Sequence, residues 1–152
     1  MLKGLNAIVT GSTSGIGLGI ANVLASKGAN LVINGFGDAA AIEAERANLE
    51  AKYGVKVVYS GADISKPSDV KAMVELCVSS FGSVDILVNN AGIQYTESVE
   101  NFPAERWDAI IAINLSGIFH AIQAALPHMK AKGFGRIINI ASVHGLIGST
   151  HK

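Results

Sequence analysis

The chain has 152 residues, of which 49% are hydrophobic, and its 12 basic residues balance its 12 acidic residues. This length predicts one domain with one core, because a chain of such size buries roughly 70% of its unfolded surface. The zero net charge and the absence of a Lys/Arg cluster argue against nucleic acid or an anionic membrane surface as a partner.

Signals for export, membrane insertion and metal binding are missing from the sequence. The apolar stretch before Thr10 is too short for a secretory signal, and no run approaches the about 18 apolar residues of a membrane span. Cys77 is the only cysteine, which excludes a disulfide framework and predicts a reducing, cytoplasmic location. The four histidines share no ligand spacing, so we expect no metal site.

Five short runs rich in Val and Ile alternate with segments of helical spacing. The runs do not alternate polar with apolar residues, which is typical of strands buried on both faces of a parallel sheet. In chain order they read NAIVT, NLVIN, VKVVYS, DILVN and RIINIA, and the helical segments cover 14–27, 38–53, 67–81 and 103–132. This alternation predicts an α/β fold in one domain, with a doubly wound parallel sheet that ends after the fifth strand.

Glycines and polar residues follow each predicted strand. The sequence reads TGSTSGIG after the first strand, NGFGD after the second, GAD after the third, NNAGIQ after the fourth and SVHG after the fifth. The carboxyl ends of parallel strands meet at one edge of the sheet, where ligands of such folds bind. We therefore expect a ligand site at this edge.

The first of these segments is a glycine-rich turn from a strand into a helix. Gly11, Gly15 and Gly17 would let the backbone approach a pyrophosphate, whose charge the helix N-terminus favours. The alternative is that the glycines only make a tight turn. The position between strand and helix favours phosphate binding.

Further residues occur in the order expected for one enzyme family: Asp63 after the third strand, NNAG at 89–92, Asn114 in the long helix and Ser142 after the fifth strand. Together with TGxxxGxG they resemble the short-chain dehydrogenase/reductase family, nicotinamide-dependent oxidoreductases built on a Rossmann sheet. The resemblance covers the whole chain and implies that residues 1–152 form an NAD-binding Rossmann domain that lacks the carboxyl-terminal part of the family domain. It implies cofactor contacts from Gly11, Thr13, Ser14, Gly15, Ile16, Gly17, Phe36, Asp63, Ile64, Asn90, Ala91 and Gly92.

Two of these assignments have purely structural alternatives. Asp63 also suits a turn before the helix that begins near Pro67, because Asp favours such positions. The NNAG segment also suits left-handed turns, because Asn and Gly tolerate them. The resemblance favours a role beside the adenine ring for Asp63 and a cofactor-lining role for NNAG.

The segment after the second strand predicts NAD as the cofactor. NADP needs a cation for its 2′-phosphate, and an acidic residue at the strand end selects NAD. Asn34, Gly35 and Phe36 supply neither, and Asp38 comes slightly later. NAD is therefore expected from the absence of a phosphate-binding cation, with Phe36 as a wall of the adenosine pocket.

Members of the family use a tyrosine as acid/base, a lysine that lowers its pKa, a serine beside the substrate oxygen and a helical asparagine that helps to hold a water. The resemblance assigns the last two roles to Ser142 and Asn114, whose alternatives are a strand-end turn and a surface position on a helix. No tyrosine of the chain has lysine four positions later. We expect the Tyr-x-x-x-Lys pair beyond Lys152, and the chain alone to be inactive.

A narrower resemblance, to the bacterial family members that oxidise D-3-hydroxybutyrate, rests on MLKG, INGFGD, NNAGIQ and HGLIGSTHK. It implies that Gln94, His144 and Lys152 bind the substrate carboxylate next to Ser142, consistent with a cation and neutral donors holding a small anion. Without this resemblance, Gln94 and Lys152 would be interpreted as exposed surface residues, and His144 as a residue that hydrogen-bonds within its own loop.

The predicted function is therefore NAD-dependent interconversion of D-3-hydroxybutyrate and acetoacetate, by a homotetramer as is common in the family. The alternatives are another carbonyl reductase of the family, such as a 3-oxoacyl thioester reductase, or a dinucleotide-binding module without catalysis. We further expect the fifth strand to form an exposed edge of the sheet.

Overall fold

The computed structural model describes residues 1–148 and residue 150. The strands are β1 (Asn6–Val9), β2 (Asn30–Asn34), β3 (Val57–Ser60), β4 (Ile86–Asn89) and β5 (Arg136–Asn139). The α-helices are α1 (Gly15–Ser26), α2 (Ala39–Tyr53), α3 (Pro67–Phe81), α4 (Ala104–Ile111) and α5 (Gly117–Lys132), with a π-helix at Ala112–Ser116 and single 3₁₀ turns at Val99–Asn101 and Val143–Gly145.

The five strands form one parallel sheet in the order β3-β2-β1-β4-β5. The order reverses direction between β1 and β4, which places a topological switch point beside the carboxyl end of β1. The predicted α/β fold with a doubly wound parallel sheet is confirmed.

Each face of the sheet carries its own core. Ile8, Val32 and Leu87 point to the face covered by α3 and α5, whereas Val9 and Ile33 point to the face covered by α1 and α2. Successive strand residues face opposite sides, so an uninterrupted apolar run supplies both cores at once. This is why the strands of this chain lack polar alternation.

The long helix predicted at 103–132 is divided into α4, the π-helix and α5. The extra residue of a π turn widens the helix locally, and such turns are often found at functional sites. Asn114 lies at the centre of this turn. The π turn was not visible in the hydrophobic pattern, which continues through it.

The helical segment Ala104–Lys132 is long and apolar enough to cross a membrane, with a mean hydropathy of 1.7 in its most apolar window. The sequence contains no uninterrupted run of about 18 apolar residues, but the averaged hydropathy of this helix reaches that of a membrane span. One such helix is weak evidence for a span, since core helices of soluble proteins have the same composition. In this helix Ala121 and Ala125 are buried against α3.

Strand β5 lies at one edge of the sheet, and all four of its residues are exposed. The expected exposed edge is confirmed. Ile137 and Ile138 point to opposite faces and are 37% and 45% exposed, so neither face of this strand is fully covered in the part of the chain described.

Candidate functional site

Buried polar side chains concentrate at the carboxyl edge of the sheet. Polar side chains are unfavourable in a core unless they are hydrogen-bonded, so their concentration at one edge indicates a functional site. The group at this edge comprises Thr10, Ser12, Asn34, Ser60 and Asn89. A cavity of about 280 Å³ opens beside it.

The predicted cofactor residues divide into two sets around this cavity. Those that line it are Gly11, Thr13, Ser14, Phe36, Asp63, Ile64, Asn90, Ala91 and Gly92. Gly15, Ile16 and Gly17 belong to the first turn of α1 and are not part of the lining. The structure thus brings together residues that follow four different strands.

The glycine loop has the backbone geometry that only glycine adopts readily. Gly11 and Gly15 have φ angles of 62° and 55°. A Cβ at Gly17 would lie 2.1 Å from the Gly11 carbonyl oxygen. The helix therefore starts directly against the loop.

The N-terminus of α1 carries no compensating negative charge. Its first turn has no acidic residue, and the Ser14 side chain makes no capping hydrogen bond. The helix dipole and the free N–H groups of this turn would favour an anion. A tight turn alone would not require this open, uncompensated helix end.

Thr10 and Asn90 fix the NNAG segment to the glycine loop. The Thr10 hydroxyl oxygen accepts hydrogen bonds from the backbone N–H groups of Asn90 and Ala91, both at 2.9 Å. The Asn90 amide donates to the carbonyls of Thr10 and Gly11 at 2.9 and 3.0 Å. Asn90 therefore lines the cavity and also holds the loop in position. Gly92 does not have a positive φ, so it does not form the left-handed turn considered as an alternative.

The loop after β2 is anchored on both sides. Tyr59 donates its hydroxyl proton to the Gly35 carbonyl at 2.8 Å, and the Thr13 hydroxyl donates to the Phe36 carbonyl at 3.4 Å. A Cβ at Gly35 would lie 2.3 Å from the Thr13 hydroxyl oxygen, so this position has no room for an acidic side chain. Phe36 is 70% exposed at the mouth of the cavity.

Asp63 combines the two roles considered for it. Its Oδ1 accepts hydrogen bonds from the Ser65 N–H and hydroxyl at 2.9 and 2.7 Å, as a turn carboxylate would. These bonds, with Lys66 nearby, hold the pKa of Asp63 below its ordinary value, so the group is ionised at neutral pH. The same residue lines the cavity.

Ile64 is buried beside Asp63 and packs on the first residue of α5. A Cβ at Gly117 would lie 2.5 Å from Ile64 Cγ2. Gly117 thereby allows the helix to approach the cavity. No motif in the sequence marks Gly117 or Tyr59 as a residue of this site.

The side chain of Asn114 is bonded to the segment that follows NNAG. It exchanges two hydrogen bonds with the backbone of Ile93. Asn114 is exposed, which agrees with the alternative of a surface position on a helix. Its amide oxygen and its amide nitrogen nevertheless both make hydrogen bonds. Its predicted water-holding role stays a prediction.

A second, mostly apolar cavity of about 820 Å³ lies beyond Asn114. Gln94 lines it together with Tyr95, Phe102 and Trp107. Gln94 and Asn114 therefore line the same cavity.

Ser142 and His144 lie on the exposed turn after β5. The Ser142 hydroxyl accepts a hydrogen bond from the His144 N–H at 3.2 Å, and His144 Nδ1 lies 3.3 Å from the Ile147 carbonyl oxygen. These contacts agree with the alternatives of a strand-end turn for Ser142 and a hydrogen bond within its own loop for His144. Neither residue lines either cavity, and Lys152 lies outside the described residues.

The lining of the first cavity is poor in charged side chains. Among its described lining residues the only ionisable side chain is Asp63, and no lysine or arginine is present. Metal binding has no support in the described part of the chain, where no group of three or more His, Cys, Asp or Glu side chains is placed to hold an ion.

Comparison with known proteins gives a consistent set of matches. The profile of the family described as short chain dehydrogenase matches residues 5–152. The chain is 59% identical over 152 residues to a D-beta-hydroxybutyrate dehydrogenase of Cupriavidus necator, covering 100% of the chain and 58% of that relative. It is 52% identical over 146 residues to the protein of the same name from Rhizobium meliloti, covering 96% of the chain and 57% of the relative.

A second group of relatives has a different name. A 3-oxoacyl-[acyl-carrier-protein] reductase of Staphylococcus aureus is 41% identical over 144 residues, covering 95% of the chain and 58% of the relative. The chain thus spans less than two thirds of the length of these curated relatives.

Proposed function

The chain belongs to the short-chain dehydrogenase family, and we propose that it binds NAD and forms part of an enzyme that interconverts D-3-hydroxybutyrate and acetoacetate. The observation that carries the proposal is the cavity at the carboxyl edge. It joins an uncompensated helix N-terminus, suited to a pyrophosphate, to the Asp63 loop, suited to an adenine.

The preference for NAD over NADP is supported by the charges around the cavity. A 2′-phosphate carries negative charge and needs a cation, yet no lysine or arginine is among the described lining residues. Asp38, just after the loop, accepts a hydrogen bond from the Ala41 N–H and caps α2. Its carboxylate occupies the helix end that a phosphate would otherwise use.

The chemistry divides between the cofactor and the chain. A bound nicotinamide supplies hydride transfer, and the residues of the chain orient the substrate beside it. We propose that Ser142 donates a hydrogen bond to the reacting oxygen of the substrate. Asn114 would fix the segment after NNAG and help to hold a water molecule. The substrate carboxylate would be bound by Gln94, His144 and Lys152. The relatives named D-beta-hydroxybutyrate dehydrogenase support this substrate.

The acid/base pair expected from the family is not among these residues. Tyr53, Tyr59 and Tyr95 are the only tyrosines, and none is followed by lysine four positions later. Loss of a general acid/base removes typically about 10²–10⁴-fold in rate. We therefore propose that the 152-residue chain alone binds the dinucleotide without appreciable turnover.

A 3-oxoacyl thioester reductase is the second candidate. The apolar cavity beside Asn114 and Gln94, about 820 Å³, is far larger than a four-carbon acid needs. The 41% identity to a 3-oxoacyl-[acyl-carrier-protein] reductase supports the same alternative. The absence of a cation for a 2′-phosphate favours the first candidate if the reductase uses NADPH.

The proposed assembly is a cytoplasmic homotetramer without membrane or nucleic-acid partners. Large apolar side chains on one side of the long helix support self-association, since Trp107, Leu115 and Phe119 are 58%, 64% and 57% exposed. The polar residues His120 and Gln123 interrupt the same helix and make burial in lipid unfavourable.

The first experiment tests dinucleotide binding by the chain itself. Purified protein of verified intact mass is titrated with NADH and NADPH by fluorescence, and dehydrogenase activity is assayed on the same sample. We expect NADH to bind more tightly than NADPH, with no turnover. Failure to bind NADH would falsify the proposed function, and turnover by the verified species would contradict the missing acid/base pair.

The second experiment tests the substrate. A chimera joins these 152 residues to the remainder of the Cupriavidus necator relative, and it is assayed with D-3-hydroxybutyrate and NAD. The control is the same chimera with Gln94→Ala, which should raise the KM for D-3-hydroxybutyrate. A chimera that prefers NADPH and an acetoacetyl thioester would establish the second candidate instead.

A further inference from the structure

Asn34, the last residue of β2, is 1% exposed and connects three strand ends through one side chain. Its Oδ1 accepts a hydrogen bond from the Gly11 N–H at 3.1 Å. Its Nδ2 donates to the carbonyls of Ser60 and Ala62 at 3.0 and 2.9 Å. Both N–H donors of the amide are therefore used.

The backbone of Asn34 strengthens the same connection. Its N–H donates to the Ser12 hydroxyl oxygen at 3.0 Å, and its carbonyl accepts from the Ser12 N–H. Ser12 is fully buried and its hydroxyl also donates to the Val9 carbonyl at 2.7 Å. The glycine loop is thus held at two consecutive residues by the end of β2.

The two loops that Asn34 joins both line the cavity. Gly11 begins the loop whose helix end suits a pyrophosphate, and Ala62 directly precedes Asp63, which suits an adenine. An amide is required for this connection, because it supplies one acceptor and two donors from a single planar group. A carboxylate would keep the acceptor and lose both donors, and an apolar side chain would lose all three bonds.

We propose that Asn34 is a positioning residue that fixes the distance between the glycine loop and the Asp63 loop. The inference rests on the proposed dinucleotide binding and adds a residue that no motif assigns. A ligand that contacts both loops benefits from their fixed spacing, because a preorganised site loses less conformational entropy on binding. A ligand that contacts one loop gains nothing from the connection.

The experiment compares Asn34→Asp with the wild-type chain for three ligands: NADH, ADP-ribose and adenosine. NADH and ADP-ribose reach both loops, whereas adenosine reaches only the Asp63 loop. We expect Asn34→Asp, and also Asn34→Leu, which adds no charge, to weaken NADH and ADP-ribose about tenfold or more, equal to about 1.4 kcal/mol or more, and to change adenosine affinity less than about threefold. A loss confined to Asn34→Asp would show charge repulsion of the pyrophosphate and would overturn the inference. A parallel loss for all three ligands, or no loss for any, would overturn the inference.

Asn6→Ala is the matched control. Asn6 is also a buried asparagine, 4% exposed, and its amide donates to the Phe81 carbonyl and the Ser83 hydroxyl at the opposite edge of the sheet. We expect this variant to lose stability in urea and keep the wild-type Kd for NADH. An equal loss of NADH affinity in Asn6→Ala would show that Asn34 acts only through general stability.

A measurement on the wild-type chain covers the case in which Asn34→Asp does not fold. Adenosine is uncharged, so it has no electrostatic effect on pyrophosphate bound at the glycine loop. If Asn34 fixes both loops before either ligand binds, adenosine should leave the affinity for pyrophosphate unchanged within about twofold, because neither ligand has to order the loop that binds the other. A several-fold rise in pyrophosphate affinity would show that ligands rather than Asn34 order the loops and would overturn the inference, whereas a wild-type chain that does not bind NADH overturns the proposed function as well.

Discussion

The amide of Asn114 and the backbone of Ile93 form a closed pair of hydrogen bonds. Asn114 Oδ1 accepts from the Ile93 N–H at 2.9 Å, and Asn114 Nδ2 donates to the Ile93 carbonyl at 2.8 Å. The pair joins the π-helix to the segment after NNAG. Because Ile93 lines both cavities, the position of the segment between them depends on the Asn114 side chain.

Asn114→Leu tests the value of this pair. The substitution keeps the approximate size and leaves two backbone groups of Ile93 without their partner, which should cost about 1–2 kcal/mol of unfolding free energy. Urea denaturation measures the loss. Asn101→Ala is the control, because Asn101 is exposed and its amide donates only to the nearby Ser98 hydroxyl. Equal stability of the two variants would contradict the prediction.

Gly17→Ala tests the close approach of α1 to the glycine loop. The new methyl group would meet the Gly11 carbonyl oxygen and the Asn90 amide, at a cost of about 1–3 kcal/mol and with weaker NADH binding. Gly19→Ala is the matched control two residues later, where a Cβ meets nothing within 4 Å. That control should gain about 0.5–1 kcal/mol, because alanine favours helix. Stability and NADH affinity are measured for both, and a neutral Gly17→Ala would refute the steric argument.

Phe36→Arg tests cofactor selection. Phe36 lies at the cavity mouth and is 70% exposed, so an arginine there can reach a 2′-phosphate without disturbing the core. A charge-assisted bond to phosphate should raise NADPH affinity relative to NADH by about tenfold or more. Phe36→Gln, uncharged and similar in length, should leave the ratio near that of the wild-type chain. Fluorescence titration with NADH and NADPH measures both affinities. An unchanged ratio of NADPH to NADH affinity in Phe36→Arg would contradict the placement of Phe36 beside the 2′ position of the cofactor.

Lys132→Met tests an ion pair at the other edge of the sheet. Lys132 bonds to Asp85, which is fully buried and also accepts from the Asn6 N–H and the Ser83 hydroxyl. Removal of the lysine leaves a buried carboxylate without its cation. The cost should be about 2–3 kcal/mol, below the about 3–5 kcal/mol of a fully buried pair, because Lys132 is 39% exposed. Lys130→Met, an exposed lysine on the same helix, should change the stability little in urea, and a similar effect of both substitutions would count against the prediction.

Cys77 should be unreactive in the folded chain. Burial, with a smaller effect of Asp85, raises the pKa of its thiol from 9.0 to about 12. The thiolate is the reactive form, so labelling with a disulfide reagent at pH 8 should be slow until urea unfolds the chain. The raised pKa also means that stability falls from pH 9 towards pH 12, where the unfolded thiol ionises first, and Cys77→Ala should lessen that fall. Rapid labelling under native conditions would disprove the burial argument.

The strands were predictable because each carries an uninterrupted run of apolar residues that a parallel sheet buries on both faces. The glycine loop and Asp63 were predictable because short motifs encode their backbone chemistry. Tyr59 and Gly117 were not, because their partners Gly35 and Ile64 lie far from them in sequence. Such contacts exist only once the sheet has formed.

The empty selector position after β2 illustrates the same limit. Asn34, Gly35 and Phe36 include no acidic residue, and the sequence pattern gives no reason for the glycine among them. The reason lies in the first loop, where Thr13 fills the space that a side chain at position 35 would need. A local pattern cannot reveal a steric conflict between residues 22 positions apart in the chain.

The π turn at Ala112–Ser116 also determines which side of α5 faces the sheet. A π turn contains one residue more than an α turn, and an α-helical residue turns the chain by about 100°, so conversion of these five residues to regular α-helix would rotate the later part of the helix by about that angle. Gly117, Ala121 and Ala125 would then leave the face that meets α3 and Ile64, and bulkier neighbours would replace them. Loss of the π turn at constant chain length would therefore change the facing of the whole of α5 even though helical content stayed the same, whereas loss of the turn together with one residue would keep that facing.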